Sequence, residues 1–464
     1  MPKNNPECSV IGGGLVGTLL AIFLAKRGLK IQIFERRIDP RLQTKTEGRS
    51  INLAISARGI YALNQIGIAE KILKKAIPMR GRMIHSLDQE LTFQPYGKDE
   101  TQYINSISRS ELNCDLLDLA EKEYHIPIYF DHKLIQVDFE KQQLEFIGSS
   151  SKKKHTFTSS LIFGTDGTHS AVRKAMKRNP QFQFEEMDCG SAYKELTILD
   201  EKGTHKMEKN ALHIWPRVNF MLIALPNFDG SFTCTLFLPK KGNPSFDKLN
   251  TSKEVNQFFQ EHFPDAVPLL DKLTETFFNN PTGNLATIRC FPWSSREKNA
   301  VILGDAAHAI IPFFGQGMNC GFEDCTTLDQ LLEKEGSKIN WPNVLSKFEK
   351  IRKEKADAIA KMSIENFVEM RDHTGNPEFL LEKGVEKLLE NQFPGKYVSR
   401  YSMVSFSRTP YDQAYELGQI NKKILAELCK NIQNPEETDL TLAKELIKKN
   451  LTPFMERIQN GFRN

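Results

Sequence analysis

The chain has 464 residues, 40% of them hydrophobic and 26% charged, with a formal net charge of +4. That length is too great for one ordinary core and calls for two or three packed units of a soluble globular enzyme; the small basic excess gives no ground for a nucleic-acid partner and at most favours an anionic ligand. Eight cysteines without a C-x-x-C pair indicate neither a zinc site nor a disulfide framework, and read as a reducing compartment.

The N-terminal "MPKNNPECSVIGGG" passes from polar residues straight into a strand, without the charged-then-apolar pattern of a leader. The longest apolar run, Leu15 to Ala25, stops at Lys26 after 11 residues, whereas a membrane span needs roughly 20. A cytoplasmic, soluble enzyme with no transmembrane segment is expected.

In "SVIGGGLVGTLLAIFLAKRGLKIQIFERR" an apolar strand feeds Gly12, Gly14 and Gly17 at G-x-G-x-x-G spacing. An alanine- and leucine-rich helix follows, and a second strand ends at Glu35, 18 residues past the last glycine. Gly12 allows a tight turn, Gly14 lets backbone approach a pyrophosphate, and Gly17 lets helix and strand pack closely. The helix start supplies N–H groups and positive dipole to phosphates. Glu35 would take the adenosine ribose hydroxyls. The bland alternative is a glycine-rich turn in an ordinary βαβ unit, but strand, glycines, helix, strand and acid in this order point to a dinucleotide.

Strands and helices alternate through the first 180 residues or so. "LIFGTDGTHSAVR" places Asp166 and Gly167 after a further apolar strand, where capping a turn is the structural alternative for the aspartate. From Ala192 to Leu238 the pattern is mostly strand, with "NFDG" as a turn, and reads as an antiparallel sheet forming one wall of a pocket. Residues 252 to 278 read as helix broken by its own prolines. "NAVILGD" then restores the βα texture and ends a third strand at Asp305, ahead of "AAHAIIPFFGQGMNCGFED". From Trp341 onward apolar residues fall at helical spacing.

An NAD dehydrogenase has no use for two extra strand-ending aspartates. FAD does, being long and extended, with a second sugar chain to be held near its ring system. No second G-x-G-x-x-G follows a later strand, so a nicotinamide cofactor has no pocket of its own.

By these three motifs in this order the chain resembles the single-component flavoprotein aromatic hydroxylases, up to about residue 410. The resemblance implies an α/β fold. A Rossmann-like FAD-binding domain would occupy 1–182 and 297–345, an inserted, mostly antiparallel-sheet substrate domain 183–296, and a helical C-terminal region 346–464 would complete the active site. It implies tightly bound FAD, with Gly12, Gly14, Val16 and Gly17 at the pyrophosphate and Phe34, Glu35, Arg36 and Arg37 at the adenosine. Asp166 belongs to the second cofactor motif, and Asp305 takes the flavin-side ribitol. Met318 and Asn319 lie against the ring, where backbone N–H groups polarise its carbonyls. Ala54, Arg109 and Leu134 match positions that contact FAD in the family. NADPH is then a transient co-substrate and O2 the oxidant. A flavin hydroperoxide carries the oxygen transfer, so neither a catalytic side chain nor a metal is assigned.

More particular stretches are "GRSINLAIS" (48–56), "MRGRMIHS" (79–86), "QPYG" (94–97), "NALHIWPR" (210–217), "ALPNFDGSFTCTLF" (224–237), "PFFGQGMN" (312–319), "ENFVEM" (365–370) and "RYSMVSFSR" (400–408). They are similar to the branch of this family that hydroxylates L-kynurenine, a small-molecule substrate of tryptophan degradation. Such an amino acid bearing an aniline ketone needs a cation for its carboxylate, hydroxyl donors and an apolar slot. Arg82 can grip a carboxylate bidentately, Tyr96 and Tyr401 add phenolic donors, and Asn366 holds a polar group of the substrate or the flavin face. Leu212, Ile223, Leu225, Phe237, Pro312 and Phe313 or Phe314 would line the slot. Taken alone, Arg82 reads as a solvated arginine and the tyrosines as half-buried packing; the matched stretches assign them to substrate. His308 reads as structural rather than as a base, and His213 as a satisfied core or surface histidine.

The C-terminal "LAKELIKKNLTPFMERIQNGFRN" is basic and amphipathic, where eukaryotic relatives end in an apolar anchor; a peripheral membrane helix is the alternative. The competing functions are a related hydroxylase for another aromatic acid and a non-catalytic flavin-binding regulator.

Overall fold

The computed structural model describes residues 8–42, 52–148, 152–336, 338–373 and 376–461; positions 48–51 of the stretch "GRSINLAIS" lie outside them. The chain forms two compact units, one from residues 1–76, 107–189 and 284–360, the other from 77–106, 190–283 and 361–464.

The first unit is built on a five-stranded parallel sheet in the order Ala300–Ile302, Leu161–Gly164, Cys8–Ile11, Ile31–Phe34 and Ile128–Tyr129. Its central strands are buried along their whole length, which is why they read as unbroken apolar runs rather than alternating ones. Leu19, Leu20, Ile22 and Phe23 of the helix Leu15–Lys26 are buried in the same core, each contributing about 1.5–3 kcal/mol relative to exposure. Register then does something the sequence order hides. Ile11 is paired with Phe34 on one side and Gly164 on the other, and Gly164 with Ile302, so these strand ends form one row. The residues that follow, Gly12, Glu35, Asp166 and Asp305, therefore leave the sheet along a single edge, the carboxyl edge at which open α/β sheets bind ligands.

The second unit carries a twisted sheet in the order Gln183–Ile198, Phe232–Pro239, Phe220–Pro226, Ala211–Arg217, Gly81–His85 and Leu91–Pro95. The expected turn "NFDG" closes with Asn227 N–H donating to Ser231 O at 2.8 Å. Pairing is antiparallel except between Gly81–Ile84 and Ala211–Ile214, which run parallel because the strand Gly81–His85 comes from a distant part of the chain. One face of the sheet, with Trp215, Leu222, Ala224, Cys234 and Leu236, packs against Val255, Phe258, Phe259 and Phe277 of the helices Ser252–His262 and Leu273–Asn279. The first of these helices starts at a capping box between Thr251 and Glu254 and ends before Pro264, as Pro disfavours helix in the residue ahead of it.

From Trp341 onward the described chain is helical: Trp341–Val368, continued by a π-helical turn Glu369–His373, then Pro377–Gln392, Arg400–Ser405, Tyr411–Leu428, Leu440–Asn450 and Thr452–Gly461. Among the described residues no helix is long and apolar enough to cross a membrane.

Candidate active site

Each glycine of the first loop is set by what it meets. Gly12 has a φ of +107°, and a Cβ there would lie 2.5 Å from the Thr165 carbonyl oxygen. A Cβ on Gly17 would lie 2.0 Å from Gly12 O, so the helix approaches the loop only without a side chain at that position. Gly14 differs, since among the described residues nothing lies within 4 Å of where its Cβ would be. The helix Leu15–Lys26 has no side-chain cap, so its first N–H groups, including that of Val16, are left for a ligand, as a pyrophosphate site requires. Glu35 reaches back across this loop: its Oε2 accepts Gly13 N–H at 2.9 Å and its Oε1 accepts Arg37 N–H at 3.0 Å. The carboxylate thus shapes the loop with the same oxygens it would offer to a ribose.

The "FERR" residues separate. Arg36 and Arg37 are exposed, whereas the Phe34 ring is turned into the core, stacked on Phe146 at 4.2 Å and on Tyr129 at 5.1 Å. The Phe34 side chain is thus a core residue, and a contact with adenosine would fall to its backbone. The Leu134 side chain is likewise buried in the hydrophobic core, so a cofactor contact there would also fall to backbone. Arg109 is exposed at the start of the helix Arg109–Lys122.

Asp166 caps and also leaves an atom over. Its Oδ2 accepts the N–H groups of Ala171 at 2.6 Å and Val172 at 3.3 Å, while its Oδ1 is buried without a partner among the described residues. Burial pushes this carboxyl above its ordinary range despite those bonds. Asp305 is exposed, presented by Gly304 at a φ of +56°, and begins the helix Asp305–His308. Met318 and Asn319 lie in the first turn of the helix Gly317–Glu335, which also has no side-chain cap. The Asn319 side chain is fully committed: Oδ1 accepts the N–H of Ser56 and of Gly59 at 3.0 and 3.2 Å, and Nδ2 donates to Ala54 O and Gly315 O at 2.9 and 2.8 Å. Only its backbone N–H is left to face a ring. Pro312, Phe313 and Phe314 form a 3₁₀ turn just ahead, with both phenylalanines buried.

In the second unit Arg82 lies beside the stacked rings of Tyr96 and Tyr401, its guanidinium carbon 5.6 Å from each ring centroid. Its Nε is buried and has no hydrogen-bond partner among the described residues, a cost a native fold rarely leaves unanswered. Register puts Arg82 beside Leu212, Ile214 opposite Ile223, and Met221 opposite Phe237. Side chains alternate along strands, so Arg82, Leu212, Ile223, Leu225 and Phe237 share one face, opposite to the face packed by Trp215 and Leu222. Asn366 is buried, with Nδ2 3.5 Å from Met370 Sδ. Glu369 belongs to the same cluster: burial pushes its carboxyl up, but Lys383, Arg82 and Arg400 outweigh this and hold it below its ordinary range.

A model of the FAD binding domain family matches residues 6–363. The chain is 51% identical over 98% of its length to a protein of Myxococcus xanthus named kynurenine 3-monooxygenase, covering 97% of that protein. It is 43% identical over 96% of its length to one of the same name from Dictyostelium discoideum, covering 98% of it. The chain belongs to the kynurenine 3-monooxygenase family.

Among solved structures, the fold is similar to that of 2-methyl-3-hydroxypyridine-5-carboxylic acid oxygenase, with a TM-score of 0.64 at 18% identity over 83% of this chain and 98% of that one. It is also similar to a probable FAD-dependent monooxygenase of Pseudomonas aeruginosa, with a TM-score of 0.61 at 16% identity over 80% of this chain and 97% of that one. Like the rest of the kynurenine 3-monooxygenase family, the chain is a flavin aromatic monooxygenase that takes FAD. Its residues fit the group: empty space at Gly14, two helix starts without side-chain caps, and the orphaned Asp166 Oδ1.

Sequence reasoning missed three polar residues of this kynurenine 3-monooxygenase family member. Glu369 lay within the quoted "ENFVEM" but reads as one more charge on a helix; its π-helical turn is the only local signal. Asp324 and Arg352 are buried at 0% and 1% exposure on stretches that look like ordinary amphipathic helix.

Proposed function

We propose that the protein hydroxylates L-kynurenine to 3-hydroxykynurenine, with NADPH and O2 as co-substrates and water as the second product. When bound, FAD supplies the transfer of electrons from NADPH and the activation of O2. The chain's own residues select and hold the substrate. The observation that carries this reading is the buried Arg82 Nε, without a hydrogen-bond partner among the described residues, beside two stacked tyrosine rings. A carboxylate there would accept two charge-assisted bonds and relieve the orphan. Glu369 offers the opposite charge within the same cluster, so an α-amino acid's ammonium has an acceptor. The apolar face of Leu212, Ile223, Leu225 and Phe237 suits an aromatic ring and excludes water, which limits loss of activated oxygen as hydrogen peroxide. Phenolic O–H groups of Tyr96 and Tyr401 orient the carboxylate end. No side chain needs to act as a nucleophile.

The test is NADPH oxidation by the FAD-loaded protein with and without kynurenine, coupled to detection of hydroxylated product and of hydrogen peroxide. Kynurenine-stimulated consumption matched by product supports the reading. Stimulation only by other aromatic acids would change the substrate, and no turnover with any would indicate a non-catalytic flavoprotein.

A further inference from the structure

Behind the Gly304–Asp305 turn lies a buried polar cluster that takes no part in the roles above. Asp324 is its centre. Oδ2 accepts Gly304 N–H at 2.9 Å and His308 Nε2–H at 2.6 Å, and Oδ1 accepts Arg352 Nε–H at 2.7 Å. Arg352 continues to Glu323 Oε2 at 2.6 Å and to Cys320 O at 3.2 Å, and Arg58 donates to Glu323 Oε1 at 3.2 Å. His308, Cys320 and Asp324 are close enough together to suggest a metal cage. The geometry argues otherwise: His308 turns Nε2 to Asp324 and Nδ1 to Cys320 Sγ at 3.8 Å, so one ion could not collect all three, and a guanidinium already occupies Asp324 and lies 3.2 Å from the same sulfur.

We propose that Asp324, clamped by Arg352 and His308, is the positioning residue of the flavin site. It ties the turn that presents Asp305 to the helix whose first turn presents Met318 and Asn319. One carboxylate joins these two pieces: it sits on the helix Gly317–Glu335 and holds the backbone N–H of Gly304. Gly304 itself packs close to the helix Leu15–Lys26: its φ is +56°, and a Cβ there would lie 3.2 Å from the Val16 side chain. A shift at Asp324 would thus be passed to the ribitol-holding and ring-facing groups together. The charges agree with a clamp. Burial pushes Asp324 up, but His308 and Arg352 outweigh it and hold the carboxyl at about 2. Burial lowers His308, but Asp324 outweighs it and raises the imidazole well above its ordinary value. The inference rests on the roles proposed for Asp305 and for the Met318 turn.

The test compares His308→Gln, which keeps an N–H donor without the charge, with Asp324→Asn and Asp305→Ala. Each apoprotein is titrated with FAD, and the visible spectrum and midpoint potential of the bound flavin are recorded. Melting of the apoproteins checks the fold. Asp324→Asn leaves two buried cations short of their partner and can fail to fold, so His308→Gln decides in that case. A folded His308→Gln that binds FAD at least tenfold more weakly, with displaced spectrum and potential, supports the proposal. A folded His308→Gln with FAD affinity within twofold of the parent and an unmoved potential overturns it. If Asp305→Ala alone leaves FAD affinity unchanged, the fault lies with the role given to Asp305.

Discussion

The rings of Tyr96 and Tyr401, contributed by distant parts of the chain, stack in parallel with centroids 5.1 Å apart and 7° between their planes. The guanidinium carbon of Arg82 lies equally far, 5.6 Å, from both ring centroids. Charge-assisted hydrogen bonds contribute about 1.5–3 kcal/mol each. Arg82→Ala should therefore raise the apparent KM for kynurenine by roughly 10–150-fold per bond lost, and Arg82→Lys should recover little because an ammonium cannot grip a carboxylate bidentately. FAD content should stay at the parent level. Steady-state kinetics with flavin quantification checks this, and an unchanged KM would refute the carboxylate role.

Glu369→Gln should raise the KM for kynurenine yet leave unchanged the KM for an analogue lacking the α-amino group. The substitution removes the charge facing Arg82, Lys383 and Arg400 while nearly preserving side-chain shape. Equal effects on both compounds would indicate that Glu369 serves only its cationic neighbours.

Gly14→Val and Gly17→Ala should fail in different ways. No atom of the described residues lies within 4 Å of a Cβ on Gly14, so the valine variant should fold, melt near the parent apoprotein, and emerge colourless. A Cβ on Gly17 would meet backbone oxygen at 2.0 Å, so even alanine should lower the melting temperature of the apoprotein. A yellow Gly14→Val protein would count against the pyrophosphate site.

Acid should weaken the fold between pH 6.5 and 4. Burial holds His213 at about 4, below the unfolded value near 6.5, so the unfolded chain binds the extra proton first. The stability His213 contributes is complete above pH 6.5 and lost on descent towards 4, an effect of about 3 kcal/mol for one fully shifted group. His262, lowered by burial, acts with the same sign. His308 has the opposite sign: its contribution is present below pH 6.5 and lost as pH rises through its raised value. Denaturant unfolding across this range should show a shallower slope for His213→Gln, and an identical slope would reject the assignment.

Legibility in the sequence followed locality. The strand, G-x-G-x-x-G, helix and strand of residues 8–35 are a local unit in which spacing and chemistry coincide. The mostly antiparallel sheet was readable from its alternation. The parallel insertion of Gly81–His85 was not, because a strand carries no mark of its partner. Asn319 shows the same limit within the site. Its place in "GQGMNCG" suggested a ring-facing residue, yet its side chain satisfies four backbone groups, three from the distant stretch 54–59 and one from Gly315 nearby.

Composition, glycine spacing and strand-ending acids were enough by themselves to determine the fold class and a dinucleotide site, since turns and helix starts depend on neighbours within a few residues. Which residues meet was left to tertiary structure. Parallel register aligned Ile11, Phe34, Gly164 and Ile302 so that their loops share one edge. Strand pairing put Arg82 on the face of Leu212 and Phe237, and burial turned Phe34 and Leu134 into core while joining Asp324 to Arg352. Hydrophobic burial and backbone pairing act between residues distant along the chain, so the outcome depends on the whole packed unit rather than on any one stretch.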